Sequence, residues 1–360
     1  MKKVLLKAYL KKNLGDDLFV KIIVDRYKNN FMIFSKENLK FLNKRDNVIQ
    51  YNNPLLDIYD KLCKKILKKH DMVESYLKRK NDIFVYIGGS LFIENNNLDY
   101  WKHKVKIYRK NYLPYYILGS NVGPYTNNKF LKLLNKDVFS NAEDVCFREE
   151  YSYDLFKDLN NVRKASDIVF SLDTTQINVK NSKKVVFSVI DAGKKMSSEL
   201  HDIYEKKIID LIRYFRLKGY EIVLMSFCKL EGDEEAIKSI MEKCDAELNK
   251  NISTYYYDGN LDEALNIIGD CEIVVATRFH ASILGLVLGK SIIPIAYSNK
   301  TINVLKDMNY EGIIITKDNI KEFDVNKLSD EDIQYKHNVS LEKQNSQMHF
   351  KVLDEILEKR

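Results

Sequence analysis

Short apolar runs alternate with segments of helical period along almost the whole chain. Runs at residues 4–9, 31–34, 48–51, 83–87, 115–118, 145–147 and 168–170 have the length and polar flanks of buried strands. Between them, apolar positions three and four apart predict helices over 16–27, 55–69, 129–138 and 149–159. The segment 173–184, DTTQINVKNSKK, is polar and β-branched without a helical period and reads as a linker. A second series then begins, with strands at 185–190, 221–227, 253–257, 273–277, 292–297 and 313–316. Its helices fall at 199–217, 233–248, 261–268, 280–288 and 301–308. An amphipathic stretch at 341–360, carried by Phe350, Leu353, Ile356 and Leu357, closes the chain without indicating which half it packs on.

Strands that alternate with helices imply α/β architecture with parallel sheets. Two such series joined by a linker imply two doubly wound Rossmann-like domains in a GT-B-like arrangement. Their expected bounds are 1–172 and 185–330, followed by a helical segment at 331–360.

Composition narrows the class. With 13 Gly and 4 Pro in 360 residues, little of the chain can be linker, so the places where glycines do fall carry information. The net charge of +7 comes mostly from lysines spread among interleaved Asp and Glu, which argues against a nucleic-acid surface. Cys63, Cys146, Cys228, Cys244 and Cys271 have no CxxC spacing and read as buried thiols of a reducing compartment, with no metal site. No run reaches the ~20 apolar residues of a membrane span, and Lys11-Lys12 interrupts the N-terminus before a signal-length apolar stretch develops. A cytoplasmic protein is expected. In the helix at 55–69, Leu55, Ile58, Tyr59, Leu62, Ile66 and Leu67 form one face, with most of the lysines elsewhere. Such a helix can rest peripherally on an anionic inner leaflet; packing on its own domain is the ordinary alternative.

Open parallel sheets bind ligands beyond the carboxyl ends of their strands. There the segment Ala276-Thr277-Arg278-Phe279-His280 sets an arginine and a histidine between a buried strand and a nearly uncharged helix. The helix N-terminus and the planar guanidinium both favour a phosphate or carboxylate, and His280 can exchange a proton near neutral pH. The bland alternative is an arginine paired with a carboxylate of the neighbouring domain and a histidine capping its own helix. Arg148, after the strand at 145–147 and before Glu149, repeats the pattern. Glycine-bearing loops follow two further strands, Gly88-Gly89-Ser90 and Gly119-Ser120-Asn121-Val122-Gly123-Pro124. Neither continues into a phosphate-loop or dinucleotide fingerprint. Asn13-Leu14-Gly15-Asp16 opens the first helix, with Asp16 the expected N-cap. Lys300 follows the strand at 292–297.

These pieces, in this order, resemble the polysaccharide pyruvyl transferases over most of the chain. The resemblance rests on Asn13, Gly15 and Asp16, the Gly-Gly loop, the Gly-x-x-x-Gly-Pro segment at 119–124, and Arg148-Glu149-x-x-Ser152. Ala165-Ser166-Asp167, Arg278-Phe279-His280 and Tyr297-x-x-Lys300 complete it. It implies a GT-B-like enzyme that moves the enolpyruvyl group of phosphoenolpyruvate onto a sugar, closing a ketal and releasing phosphate without a cofactor. The acceptor implied is a sugar of a cell-surface polysaccharide or a lipid-linked oligosaccharide. The resemblance assigns Arg278 and Arg148 to the donor's phosphate and carboxylate, and His280 to protonation of its methylene or assistance to the departing phosphate. Asn13, Gly15, Asp16, Gly88, Gly89, Ser90, Gly119, Ser152 and Lys300 become substrate-binding positions. Ser90 stands where a third glycine is common in the family. Asp16, Glu94 and Asp99 are all open as activators of the acceptor hydroxyl. Two other classes compete: a GT-B glycosyltransferase using a nucleotide sugar, and a non-catalytic component of polysaccharide assembly.

Overall fold

The computed structural model describes the chain apart from residues 36, 44, 52–54, 56, 57, 60, 64–71, 95–100 and 102–112. It divides into two compact units. The first comprises Met1–Leu10, Phe19–Ser171 and Gln344–Arg360, and the second Lys11–Leu18 and Leu172–Lys343. The division after Ser171 lies beside the polar segment read as a linker. Two assignments differ from a simple cut: the segment Lys11–Leu18, a loop and the first turn of the helix it enters, belongs with the second unit, and the chain's last residues belong with the first.

The first unit holds β1 (Val4–Lys7), β2 (Phe31–Phe34), β3 (Val48–Tyr51), β4 (Ile83–Ile87), β5 (Tyr115–Ser120), β6 (Asp144–Phe147) and β7 (Val162–Lys164). They pair in the order β3-β2-β1-β4-β5-β6-β7, parallel throughout. Strands β4, β5 and β6 are buried at every residue, which is why residues 83–87, 115–118 and 145–147 within them read as apolar runs. On one face Phe139 packs edge-on against Phe92, Phe147 and Phe156, with ring centroids 4.9, 5.3 and 4.7 Å away.

The run at 168–170 is not a strand. Asp167 accepts a hydrogen bond from the Val169 N–H through its side chain and from the Phe170 N–H through its backbone, which winds Ile168–Ser171 into a 3₁₀ turn. Its apolar residues are buried all the same, so burial without period mimicked a strand. The seventh strand is instead Val162–Lys164, short, mostly polar and at the sheet edge, where little apolar signal is needed.

The second unit holds β8 (Lys184–Ser188), β9 (Glu221–Ser226), β10 (Ile252–Tyr256), β11 (Ile273–Ala276), β12 (Ser291–Ala296) and β13 (Ile315–Thr316). Their order is β10-β9-β8-β11-β12-β13, again parallel. The order reverses direction between β8 and β11, the switch point at which doubly wound sheets open a ligand crevice. The helix Ser198–Leu217 packs Tyr204, Ile208, Leu211, Ile212 and Phe215 on this sheet. The helix expected over 233–248 breaks at Cys244, whose extended backbone ends Asp233–Lys243 before a short Ala246–Asn249 turn.

The C-terminal residues pack on the first unit. Arg163 pairs with Asp144 and donates to the backbone carbonyl of His349 at 2.8 Å. Asp354 accepts from Arg26 and from the hydroxyl of Tyr27. His349 is fully enclosed, its Nε2 2.8 Å from the Ser166 carbonyl, and burial drives its pKa down to about 3. Of the helix read over 55–69, the positions 55, 58, 59 and 61–63 are described as helical and the rest lies outside the described residues. Asp99 also lies outside them. Among the described residues no helix is long and apolar enough to cross a membrane.

Candidate active site

In the second unit the switch point gathers four loops. Tyr204 ties the two central strand exits together, its hydroxyl accepting from the Ile190 N–H at 3.2 Å and lying 3.1 Å from Thr277 Oγ1. The Arg278 N–H donates to Ser188 Oγ at 3.0 Å, so the turn from β11 into the helix Phe279–Val287 is held from β8. Arg278 occupies the N-cap position, and His280 is the second residue of the helix, half-buried, with its ring edge-on to Phe279 at 5.0 Å.

Arg278 is engaged by carboxylates of its own unit. Its Nε donates to Asp233 Oδ2 at 3.0 Å, Nη2 to Asp233 Oδ1, and Nη1 to Glu231 Oε2 at 2.6 Å. Asp233 also accepts from the Phe227 and Cys228 N–H groups at 2.9 Å each, so a fully buried carboxylate makes four hydrogen bonds. Burial opposes the guanidinium's charge, yet Asp233 and then Glu231 raise its pKa above the ordinary arginine value. Of the sequence alternatives for Arg278, the paired arginine is thus realised, but with partners from the loop after β9 of the same sheet.

The N-terminal loop joins this group. Asn13 Oδ1 accepts from the Gly15 N–H at 3.1 Å, so Asn13 rather than Asp16 caps the helix Leu14–Arg26; Asp16 sits within its first turn. The Leu14 N–H donates to the Phe227 carbonyl at 3.0 Å, and Asn13 Nδ2 donates to Glu231 Oε1 at 3.3 Å. Gly15 lies so close to His280 that a β-carbon built on it would overlap the imidazole. One turn on, Asp17 is fully buried and accepts from the Tyr257 hydroxyl at 2.7 Å; burial pushes its pKa up to about 8. Lys300, half-buried, stands 5.9 Å from the ring centroids of both Phe279 and Tyr297. Among the described residues no carboxylate is within ion-pair distance of it.

In the first unit a second arginine gathers the exits of β4, β5 and β6. Arg148 Nη1 meets Asp167 Oδ2 at 3.0 Å, and Nη2 donates to Asn121 Oδ1 at 2.6 Å. Gly89 must be glycine here, because a β-carbon would stand 2.6 Å from Arg148 Nη1. Gly119 turns with φ +71° and lies against Ile168. Ser152 is buried, donating to Glu149 at 2.7 Å and accepting from the Val122 N–H at 2.8 Å. Gly88 is buried and Ser90 exposed. Glu94 holds the turn before the helix Asn128–Asp137 by accepting from Thr126 and Asn127, which lowers its pKa, while Asn127 itself caps the helix.

The structure therefore brings Asn13, Gly15, Arg278, His280 and Lys300 into one unit, and Gly88, Gly89, Gly119, Arg148 and Ser152 into the other. Glu231, Asp233 and Lys195, whose ammonium is 3.2 Å from Glu231, lie in no motif that the sequence pattern singled out. The available signal was the strand-exit rule: Glu231-Gly232-Asp233 follows β9 and opens a helix just as Arg278 follows β11.

Two doubly wound parallel sheets with charged residues at their strand exits make this a GT-B-like protein. The chain belongs to the polysaccharide pyruvyl transferase family, whose profile matches residues 13–299, ending one residue short of Lys300. The amylovoran biosynthesis protein AmsJ of Erwinia amylovora is 20% identical over 253 residues, covering 64% of this chain and 60% of that protein. Among solved structures, Anabaena HepE in complex with UDP-glucose superposes with a TM-score of 0.58 at 11% identity, over 99% of this chain and 100% of that one. The UDP-GlcNAc 2-epimerase of Methanocaldococcus jannaschii gives 0.59 at 11% identity, over 98% of each chain. At such identities these two share the fold alone.

Proposed function

We propose that the protein transfers the enolpyruvyl group of phosphoenolpyruvate to two hydroxyls of a polysaccharide sugar or its lipid-linked precursor, forming a pyruvate ketal. The observation that carries this reading is that His280 and Lys300 both stand against Phe279, the histidine ring 5.0 Å and the ammonium 5.9 Å from its centroid, and that Lys300 is a half-buried cation without a carboxylate partner among the described residues. An ammonium without an ion-pair partner among the described residues, beside the first residue of the helix Phe279–Val287, suits the donor's phosphate or carboxylate. Arg278, already balanced by Asp233 and Glu231, serves chiefly to hold the turn that presents His280. Arg148, with 1% of its side chain exposed, holds the first unit's loops in the same manner.

In this mechanism His280 gives its proton to the donor methylene, which becomes the methyl group. A sugar hydroxyl bonds to the donor's C2, the bond from C2 to the phosphate oxygen breaks, and a second hydroxyl closes the ketal. One hydroxyl proton returns to His280 and the other leaves with phosphate. No nucleotide or redox partner enters the balance. The acceptor's membrane anchor would suit the exposed helical residues Leu55, Ile58, Tyr59 and Leu62, which are 49–70% exposed, followed in sequence by Lys64 and Lys65. Co-sedimentation with phosphatidylglycerol but not phosphatidylcholine vesicles is the expected result; equal binding to both, or to neither, rejects it.

The functional test is direct. Phosphoenolpyruvate should raise Tm and, with a panel of p-nitrophenyl hexosides, release phosphate and yield a ketal visible by mass spectrometry. His280→Gln should fold and abolish transfer. Stabilisation by UDP-sugars alone, with no phosphate release, would replace this reading with a glycosyltransferase; no response to either donor would favour a non-catalytic role.

A further inference from the structure

Glu231 belongs to none of the motifs that carry the family resemblance, yet both sides of the His280 turn lead to it. Its Oε2 accepts from Arg278 Nη1 at 2.6 Å and lies 3.2 Å from the Lys195 ammonium. Its Oε1 accepts from Asn13 Nδ2 at 3.3 Å. Asn13 in turn accepts from the Gly15 N–H at 3.1 Å, and Gly15 is the residue whose backbone backs onto the imidazole. Asn13 and Glu231 are far apart in sequence but belong to the same unit.

Glu231 cannot itself carry protons at neutral pH. Burial works against its charge, but Arg278 and then Lys195 outweigh it and hold the carboxyl at about 2, so it stays ionised at any ordinary assay pH. Its influence must therefore be geometric. The loop's attachment has a separate anchor in the hydrogen bond from Leu14 N–H to the Phe227 carbonyl, so Glu231 sets the orientation of Asn13 rather than the presence of the loop.

We propose that Glu231 is a positioning residue for His280: through Asn13 and Gly15 it fixes the surface on which the imidazole rests, and through Arg278 it fixes the residue two before it. This rests on His280 being the proton donor, as argued above. A proton donor displaced by a fraction of an ångström loses rate while the bound donor keeps its anion contacts, so kcat should fall and KM should not.

The test uses the full-length chain. Glu231→Ala and Asn13→Ala should each lower kcat roughly 10- to 100-fold with the donor KM within about threefold. Because both lie on one path, the double variant should be no slower than the slower single. Glu231→Gln keeps an acceptor for Asn13 and should recover most of the rate, which also guards against a variant that merely fails to fold. A second readout needs no turnover: with ¹³Cε1-labelled histidine, six resonances are expected, His280 being assigned by its loss in His280→Gln. That resonance should move in Glu231→Ala and Asn13→Ala and stay in place in Ser152→Ala. Multiplicative losses in the double variant, a loss confined to KM, or an unmoved His280 resonance overturns the proposal. If the wild type transfers no pyruvate while the resonance still moves as stated, the functional reading fails and the positioning role of Glu231 stands.

Discussion

Gly15 and His280 are in backbone-to-ring contact: the glycine comes from the first turn of the helix Leu14–Arg26, the histidine from the first turn of the helix after β11, and any side chain on the first would occupy the space of the second. The interaction explains a glycine whose backbone angles would allow other residues. Gly15→Ala should leave the fold intact, since the clash is with a half-buried side-chain ring rather than with backbone, and cut kcat by about tenfold or more. Steady-state phosphate release and a thermal melt measured on the same preparation check it. Undiminished kcat would mean that the imidazole works from another position.

Lys300 makes the opposite kind of prediction. With no ion pair to lose among the described residues, Lys300→Gln should change Tm by no more than about 2 °C. If its ammonium holds the donor anion, KM for phosphoenolpyruvate should rise at least about tenfold, or ~1.4 kcal/mol of binding. Donor titration by calorimetry provides the comparison.

Ser152 bears on whether the first unit's motif touches ligand or serves the fold. Its hydroxyl is buried and fully used between Glu149 and the Val122 N–H. Ser152→Ala should cost about 1–3 kcal/mol in urea unfolding by leaving the buried Val122 donor unpaired, and should not alter donor KM. Unchanged stability with a raised KM would instead mark it as a substrate contact.

Asp17 gives the pH dependence. Its pKa rises from 3.8 unfolded to about 8 folded, burial being the main cause and the Tyr257 hydrogen bond acting against it. Between those values the folded chain keeps a proton that the unfolded chain has released, so this group's contribution to stability declines as pH rises from about 4 to about 8. Asp17→Asn removes the decline. Urea midpoints taken at about pH 5 and about pH 9 should fall less in the variant than in the wild type, and the variant should be the more stable at the higher pH. Parallel falls would show that Asp17 does not hold that proton.

Much of the scaffold was legible in the chain because central parallel strands must be apolar on both faces, whatever lies beside them. β2, β3 and β4 have the bounds that the pattern alone predicts. The same rule placed Arg148, Arg278 and His280 at strand exits. It failed at 168–170, where burial came without a sheet, and at β7, where an edge position asks little of its residues.

The two α/β series, the polar segment between them and the charged residues their strands deliver are all written in the order of the residues. Which of these residues meet depends on strand order and loop packing. The approach of β11 to β8 brings Arg278 to Ser188, and the loop after β9 supplies Glu231 and Asp233. The segment 11–18, with the first turn of the helix Leu14–Arg26, belongs to the second unit through Phe227, Glu231 and Tyr257, although it follows the first unit's first strand. The reason is physical: hydrophobic period is a property of neighbouring residues, whereas a buried charge or hydrogen-bonding group takes the partner that strand order and loop packing bring within reach.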